Sequence, residues 1–372
     1  MEAASERGFD YHYVVEEKVM HDFIVKSIVK AGAEKFQGES VARMLIYADS
    51  RGHFSHGINR LSLYIHDLQT NTCNRNGKPK ILKQKGSTAL IDGDNALGSV
   101  VGEFAIDLAI SLAKEHGVGW VTANNSNHFG AAGRYGHLAA DAGLIGFAMT
   151  NTSPLVFPTR SSQKALGTNP LACVAPAENG DHFALDMAIS TVSLGKVEVA
   201  NRKEKEEVPH GWGANSKGIE EQNPKIILDK GGLLPLGGIE VRGGYKGSGL
   251  GMMVDILCGV MSGAHFGKNV RAWAQVGHDK ADLGQCYIAV DPKCFADGFT
   301  NNLKQFLDQM RSLEPTDPKV PVRVPGDFSK SHGALIQHSG GLVYHKSQIE
   351  QLEKLAKEVD IPFFETKPFE KL

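Results

Sequence analysis

The chain has 372 residues, 41% of them hydrophobic and 22% charged, which is the profile of an ordinary globular protein with room for two domains or one large one with an appendage. A formal net charge of −2 offers no basic footprint, so nucleic acid and anionic membrane surfaces are excluded as expected partners and a small molecule is the default ligand. Five cysteines, odd in number and never spaced as CxxC, argue for reduced thiols and against a disulfide framework.

No apolar signal region is visible among Glu2, Glu6 and Arg7, the longest apolar window (250–264) is too short to span a bilayer, and the ending Glu-Lys-Leu lacks the small first residue of a peroxisomal tail. The expected location is cytoplasmic. Residues 14–32 repeat apolar positions at helical spacing, with Val19, Phe23, Ile24, Ile28 and Val29 on one face and Gly32 as the C-cap. A second helix is expected from 37 to 49 and a third from 58 to 68.

Between them lies Asp49-Ser-Arg-Gly-His-Phe-Ser-His-Gly-Ile-Asn-Arg60, too polar for a core segment and too dense in function for a linker. Histidine gives and takes protons near neutrality, and a guanidinium grips a carboxylate bidentately. His56 with Arg60 four residues later therefore describes a site for a hydroxy or keto acid. The same composition also makes an ordinary solvated turn.

From Pro79 the texture changes to short strands around Ile81–Leu82 and Ala89–Ile91, followed by the turn Asp92-Gly-Asp-Asn95. An amphipathic helix is expected over 100–115, then a buried strand over 117–123. That strand ends in a second polar knot, Asn124-Asn-Ser-Asn-His-Phe-Gly130, whose His128 is the second acid/base candidate. A helix over 131–142 and strands over 144–151, 171–175 and 182–187 follow. This alternation is an α/β layout, in which ligands sit at the carboxyl ends of strands.

The charged run 203–222 reads as an exposed excursion. Gly243-Gly-Tyr-Lys-Gly-Ser-Gly-Leu250 leads into a small-residue helix over 250–261. It is read either as a phosphate cradle of backbone N–H groups aided by Lys246 or as a turn into a closely packed helix. A strand over 285–291 and helices over 297–313 and 347–359 complete the chain. Neither GxGxxG nor GxxxxGK[ST] occurs, and the absence of HExxH and GxSxG leaves no support for a metal site or a serine hydrolase.

Taken together, Asp49 to Arg60, Asn125-Ser-Asn-His-Phe-Gly130, Gly167-Thr-Asn-Pro170, Asp186-Met-Ala-Ile-Ser190, Gly243 to Leu250 and Val324-Pro-Gly-Asp327 stand in the order seen in one family. Almost end to end, the chain resembles the malate/L-lactate dehydrogenase family, which includes sulfolactate dehydrogenase, ureidoglycolate dehydrogenase and 2,3-diketogulonate reductase. The resemblance implies an NAD-dependent oxidoreductase, with NADP the alternative cofactor, acting on a small 2-hydroxy or 2-oxo acid and working as a homodimer without a metal. Its implied fold is α/β of the α+β type. A non-Rossmann, mixed-sheet cofactor domain (79–294) stands beside a separate helical domain built from both termini (1–78 and 295–372).

By position, His56 or His128 resembles the family's acid/base, and Arg60 its carboxylate clamp, with Ser55 and Tyr64 near the substrate. Thr152, Asp186, Met187, Ala188, Tyr245, Lys246, Pro325, Gly326 and Asp327 are similar to its cofactor contacts. Tyr245, where many relatives carry His or Trp, and the 203–222 run depart from the pattern. Reduction of a cyclic imino acid or a sugar-derived keto acid is the nearest alternative chemistry. A catalytically retired ligand-binding dimer is the alternative from another class.

Overall fold

The computed structural model describes residues 10–272 and 279–370, so the N-terminal residues and the last two residues read for targeting lie outside it. A strand β1 (Tyr13–Val15) precedes helices α1 (Glu17–Lys30), α2 (Lys35–Ser50) and α3 (Leu61–Gln69). The expected first helix is thus shortened at its start. The pair Val14-Val15 is β-branched, and β1 lies between β12 (Leu342–Tyr344) and β13 (Lys367–Pro368), whose ladders take both of its edges.

The centre is a seven-stranded mixed sheet in the order β2 (Lys80–Lys85), β3 (Thr88–Asp92), β4 (Val118–Ser126), β11 (Leu283–Val290), β5 (Ile145–Thr150), β6 (Leu171–Pro176), β7 (His182–Met187). Only β3 and β4 pair in parallel, through the crossover helix α4 (Gly98–His116); every other neighbouring pair is antiparallel. The α/β layout expected from the alternation of elements therefore covers one βαβ unit inside a mostly antiparallel sheet.

Side chains alternate across these strands as the pleat requires. Val121, Ala123, Ala148, Tyr287 and Ala289 face the main core, which α1, α2, α4 and α5 (Gly133–Asp141) cover. Trp120, Met149, Cys286 and Ile288 face a second core beneath α8 (Gly244–Asp255) and the π-helical turn that continues it over Ile256–Val260. The main core is continuous from Tyr11 to Val359, so both termini pack on the same side of the sheet.

Three expectations are corrected. The 203–222 run is exposed only in part: α6 (Leu194–Arg202), α7 (Pro224–Asp229) and the small strands β8 (Gly213–Ala214), β9 (Glu220–Glu221) and β10 (Gly232–Leu233) close over their own core of Val197, Val208, Ile227 and Leu233. Helix α8 starts six residues before the expected Leu250, with its glycines inside it. A Cβ at Gly247 would lie 2.4 Å from the Leu236 backbone, so the glycines let the helix press onto that loop. Finally, α9 (Phe299–Arg311) and α11 (Lys346–Glu358) fall near their expected places, but α10 (Asp327–Ser339) and the buried β12 were not foreseen.

Candidate active site

Helix α2 ends at Ser50, and the polar stretch then folds as a tight loop into a 3-10 turn, Ile58–Arg60, that runs straight into α3. What holds this loop is Asp49. Its Oδ2 accepts the Ile58 N–H at 3.0 Å and the Tyr344 hydroxyl at 2.8 Å, while Oδ1 is buried without a hydrogen-bond partner. Gly57 lies directly against it, for a Cβ there would stand 1.7 Å from Oδ1. Burial pushes the Asp49 carboxyl up to about 7, against the opposing pull of its two donors. Below the loop, His332 of α10 meets the Asp49 carbonyl at 3.1 Å, and His53 Nε2 meets Ser329 Oγ at 3.2 Å.

Above it the loop presents His56, one of the two acid/base candidates. Ser55 Oγ lies 2.9 Å from His56 Nδ1, and Arg60 Nε donates to the Ser55 carbonyl at 2.5 Å, leaving its two terminal nitrogens for a ligand. The His56 ring is nearly parallel to that of His128, with centroids 6.0 Å apart and planes 14° apart. Both sequence candidates therefore share one site. Tyr64, one turn after Arg60, bonds His128 Nδ1 at 2.7 Å, and the Gly130 N–H donates to the same nitrogen at 3.3 Å. With Nδ1 accepting, the hydrogen-bond pattern assigns the ring proton of His128 to Nε2.

Neither imidazole carries charge near neutrality. Burial and then Arg60 push His56 down to about 4, and burial, His56 and Arg60 hold His128 well below the ordinary histidine range. His128 is fixed from behind by Asn127, whose amide donates to the Ala96 carbonyl at 2.8 Å and whose carbonyl accepts from Gln285 at 2.9 Å. The polar knot is thereby the end of β4 tied to β11.

The remaining sequence candidates lie along the edge strand β7 and its exit. Asp186, open to solvent, accepts the Gly133 N–H at 2.9 Å, which connects it to the loop after His128. Met187 and Ala188 follow, half-buried. The turn Pro325-Gly326-Asp327 docks on the same strand through Ala184 N–H to Pro325 O at 3.0 Å, and Arg311 clamps Asp327 at 2.7 and 3.1 Å. Ile189, at the strand's exit, bonds Thr168, which stands 3.3 Å from the Thr152 hydroxyl. Ile189 also bonds Leu236, under the helix that carries Tyr245 and Lys246 in its exposed first turn.

Of the two readings of the glycines, a phosphate cradle or a turn into a closely packed helix, the backbone bonding at this turn favours the second. The Gly243, Gly244 and Lys246 N–H groups are already given to the carbonyls of Glu240, Ile239 and Gly243. Sequence reasoning missed Tyr344, His332 and Gln285 as members of the site. No local pattern marks them, because each acts from a distant element.

A profile of the malate/L-lactate dehydrogenase family matches residues 15–353. The chain is 36% identical over 364 residues to the malate dehydrogenase of Pyrococcus abyssi, covering 96% of this chain and 98% of that one. It is 34% identical over 340 residues to the L-sulfolactate dehydrogenase of Methanocaldococcus jannaschii, covering 91% and 95%. Its structure matches that of the malate dehydrogenase from Entamoeba histolytica with a TM-score of 0.88 at 30% identity, over 95% of this chain and 99% of that one.

The Asp49 carboxyl keeps its proton to higher pH in the folded chain than in the unfolded one. Its contribution to stability is therefore present below its ordinary value of 3.8 and is lost as pH rises through about 7. Asp49→Asn has no such proton to lose. Its melting temperature, followed by circular dichroism, is expected to fall less between about pH 5 and pH 8 than that of the wild type, and parallel curves contradict the assignment.

Proposed function

The chain belongs to the malate/L-lactate dehydrogenase family, and we propose that it transfers hydride between a nicotinamide dinucleotide and a small 2-hydroxy or 2-oxo acid with His56 as acid/base. The observation that carries this reading is the stacked pair of neutral imidazoles beside Arg60, whose free nitrogens face no carboxylate of the chain's own among the described residues. A guanidinium so placed binds a substrate carboxylate bidentately, and the neutral His56 then receives the hydroxyl proton. His128, held as its Nε2–H tautomer by Tyr64 and Gly130, is a donor to the substrate oxygen, and it is the second choice for the acid/base role only through a tautomer change that frees Nε2.

Bound NAD would supply the hydride acceptor for oxidation and, as NADH, the donor for reduction. The edge of β7 fits such a group: Asp186 offers an open carboxylate for ribose hydroxyls, and Tyr245 and Lys246 offer an exposed ring and cation. Thr152, Met187, Ala188 and the Pro325–Asp327 turn complete the proposed contacts. This placement implies a non-Rossmann mode, since no glycine-rich strand-to-helix turn is used.

The proposed division into a helical unit (1–78 and 295–372) and a sheet unit (79–294) is supported by the β12–β1–β13 sheet, which joins the termini. Helix α9, packed near β7, links the two. A homodimer is supported by the outer face of α8 and the π turn, where Met252, Ile256, Val260 and Met261 stand exposed together on one element. A cytoplasmic setting accords with free cysteines throughout, and among the described residues no helix is long and apolar enough to cross a membrane.

Four outcomes are expected. Purified protein should oxidise NADH or NADPH with a member of a panel of oxaloacetate, pyruvate, 3-sulfopyruvate, 2,3-diketogulonate and a cyclic imino acid. His56→Ala should cut that turnover on the order of a hundredfold while dinucleotide binding persists; wild-type rates in the variant would move the role to His128.

In the oxidation direction a carboxylate seated on Arg60 offsets the field that depresses His56, so kcat should begin to fall at a higher pH than kcat/KM as the medium is acidified. Coincident limbs would contradict the Arg60 coupling. Last, Ile256→Glu should shift the protein from dimer to monomer in sedimentation, and an unchanged mass would move the interface elsewhere.

A further inference from the structure

Arg51, five residues before His56, points away from the catalytic pair. Its guanidinium lies flat over the Tyr47 ring, 3.9 Å from the centroid, and its one recorded hydrogen bond is a long contact of 3.4 Å to Ser50. Among the described residues no carboxylate pairs with it. It lines an open groove of about 530 Å³ between α1, α2 and α5, whose walls carry Lys18, Arg43, Arg51 and Arg134 against the single acid Glu17. Arg43 and Arg134 are spent from behind on Glu103, at 2.7 and 2.6 Å. Arg51 is thus the rigidly held, half-buried cation of the groove that lacks an anion.

The groove meets the β7 edge at Tyr47. The Tyr47 hydroxyl bonds His137 Nδ1 at 2.8 Å, and His137 Nε2 lies 3.4 Å from His182 Nε2 on β7. The space beside Gly133 is bounded by the Tyr47 hydroxyl and the Asp186 carboxylate together. The charge of Arg51 reaches both histidines: burial first and then Arg51 push His137 down to about 3, while burial and then Lys330 lower His182, with Arg51 a smaller contributor. Both rings therefore stay neutral, and of the two cations near them Lys330 is paired with Asp181 while Arg51 has no carboxylate partner among the described residues.

We propose that Arg51 anchors a phosphate group of the dinucleotide where this groove opens onto β7. The inference rests on the dehydrogenase reading and extends it by assigning the cofactor's charge to a residue outside the contacts named above. A stacked guanidinium presents two parallel N–H donors to phosphate oxygens, and the Tyr47 ring fixes its plane in advance, so little freedom is lost on binding. The Gly243, Gly244 and Lys246 amides at the start of α8 are already bonded within the chain and are not available for that role.

The test is a fluorescence titration of the full-length protein with NADH and with NADPH, for wild type, Arg51→Gln, Arg51→Lys and the surface-charge control Lys354→Gln. Loss of a charge-assisted contact to phosphate corresponds to about tenfold to a hundredfold in Kd. Arg51→Gln is expected to weaken binding by that factor, Arg51→Lys by less, and Lys354→Gln not at all. The KM for the 2-oxo acid at saturating dinucleotide should stay within about twofold of wild type. Weakening of both dinucleotides identifies the pyrophosphate, and weakening of NADPH alone the 2′-phosphate; either supports the anchor. Unchanged Kd for both overturns it while leaving the dehydrogenase reading standing, whereas a wild type that binds neither dinucleotide overturns that reading and this inference together.

Discussion

A single buried carboxyl sets the geometry of the site. Asp49 lies under the loop that carries His56 and Arg60, and its two hydrogen-bond donors come from residues nearly three hundred positions apart, Ile58 and Tyr344. A buried polar group without donors is costly, so the loop and the C-terminal strand must both be in place for Asp49 to be accommodated. The backbone N–H it takes belongs to the 3-10 turn between the base and the clamp. Their separation is thereby set by the core and not by the loop's own preferences. Gly57 is the other half of the constraint, since any side chain there would occupy the space of the carboxylate.

Above that support the site is a cation beside two neutral rings. Arg60 holds its charge, and the same burial that favours it as a clamp drives His56 and His128 away from protonation. Such a site is incomplete until an anion arrives. On the proposed reading, a substrate carboxylate relieves the uncompensated guanidinium and, in the same step, shifts His56 toward the pKa an acid/base requires. Binding and proton transfer are then two consequences of one electrostatic interaction. A neutral substrate of the same shape would gain neither, which makes charge the basis of selection.

The sequence made the chemistry of this site more legible than its architecture. His56, Arg60, Tyr64 and His128 stand in short, polar, glycine-punctuated runs, and the structure brings them to one place. Helix periods read over 14–32, 37–49 and 100–115 fall on helices at 17–30, 35–50 and 98–116, because their apolar stripes are regular. The mostly antiparallel order of the sheet was not, because β11, which sits between β4 and β5, comes from 130 residues downstream and nothing local announces where it inserts.

Strand β1 was hidden inside a helical apolar pattern, since Val14 and Val15 suit either period until the ladders with β12 and β13 decide it. Helix α10 was missed although it buries Leu335 and Ile336 on one face, and it also bonds the site through His332 to the Asp49 carbonyl. The glycines before Leu250 left two readings open in the sequence, a ligand cradle or close packing, and the packing of α8 on the loop at Leu236 favours the second.

The loop also accounts for how two ligands share one element. Arg51 and Arg60 leave it in different directions, the first laid on Tyr47 of α2 and the second tied to the Ser55 carbonyl. Asp49 is bonded to the backbone between them. A shift in the loop that loosened one arginine would loosen the other, so an anion at either end stabilises the arrangement needed at the other end. With the proposed dinucleotide phosphate at Arg51 and the proposed substrate carboxylate at Arg60, occupancy of the groove would prepare the other side without any large motion, because the ordering cost of the loop is met once for both ligands.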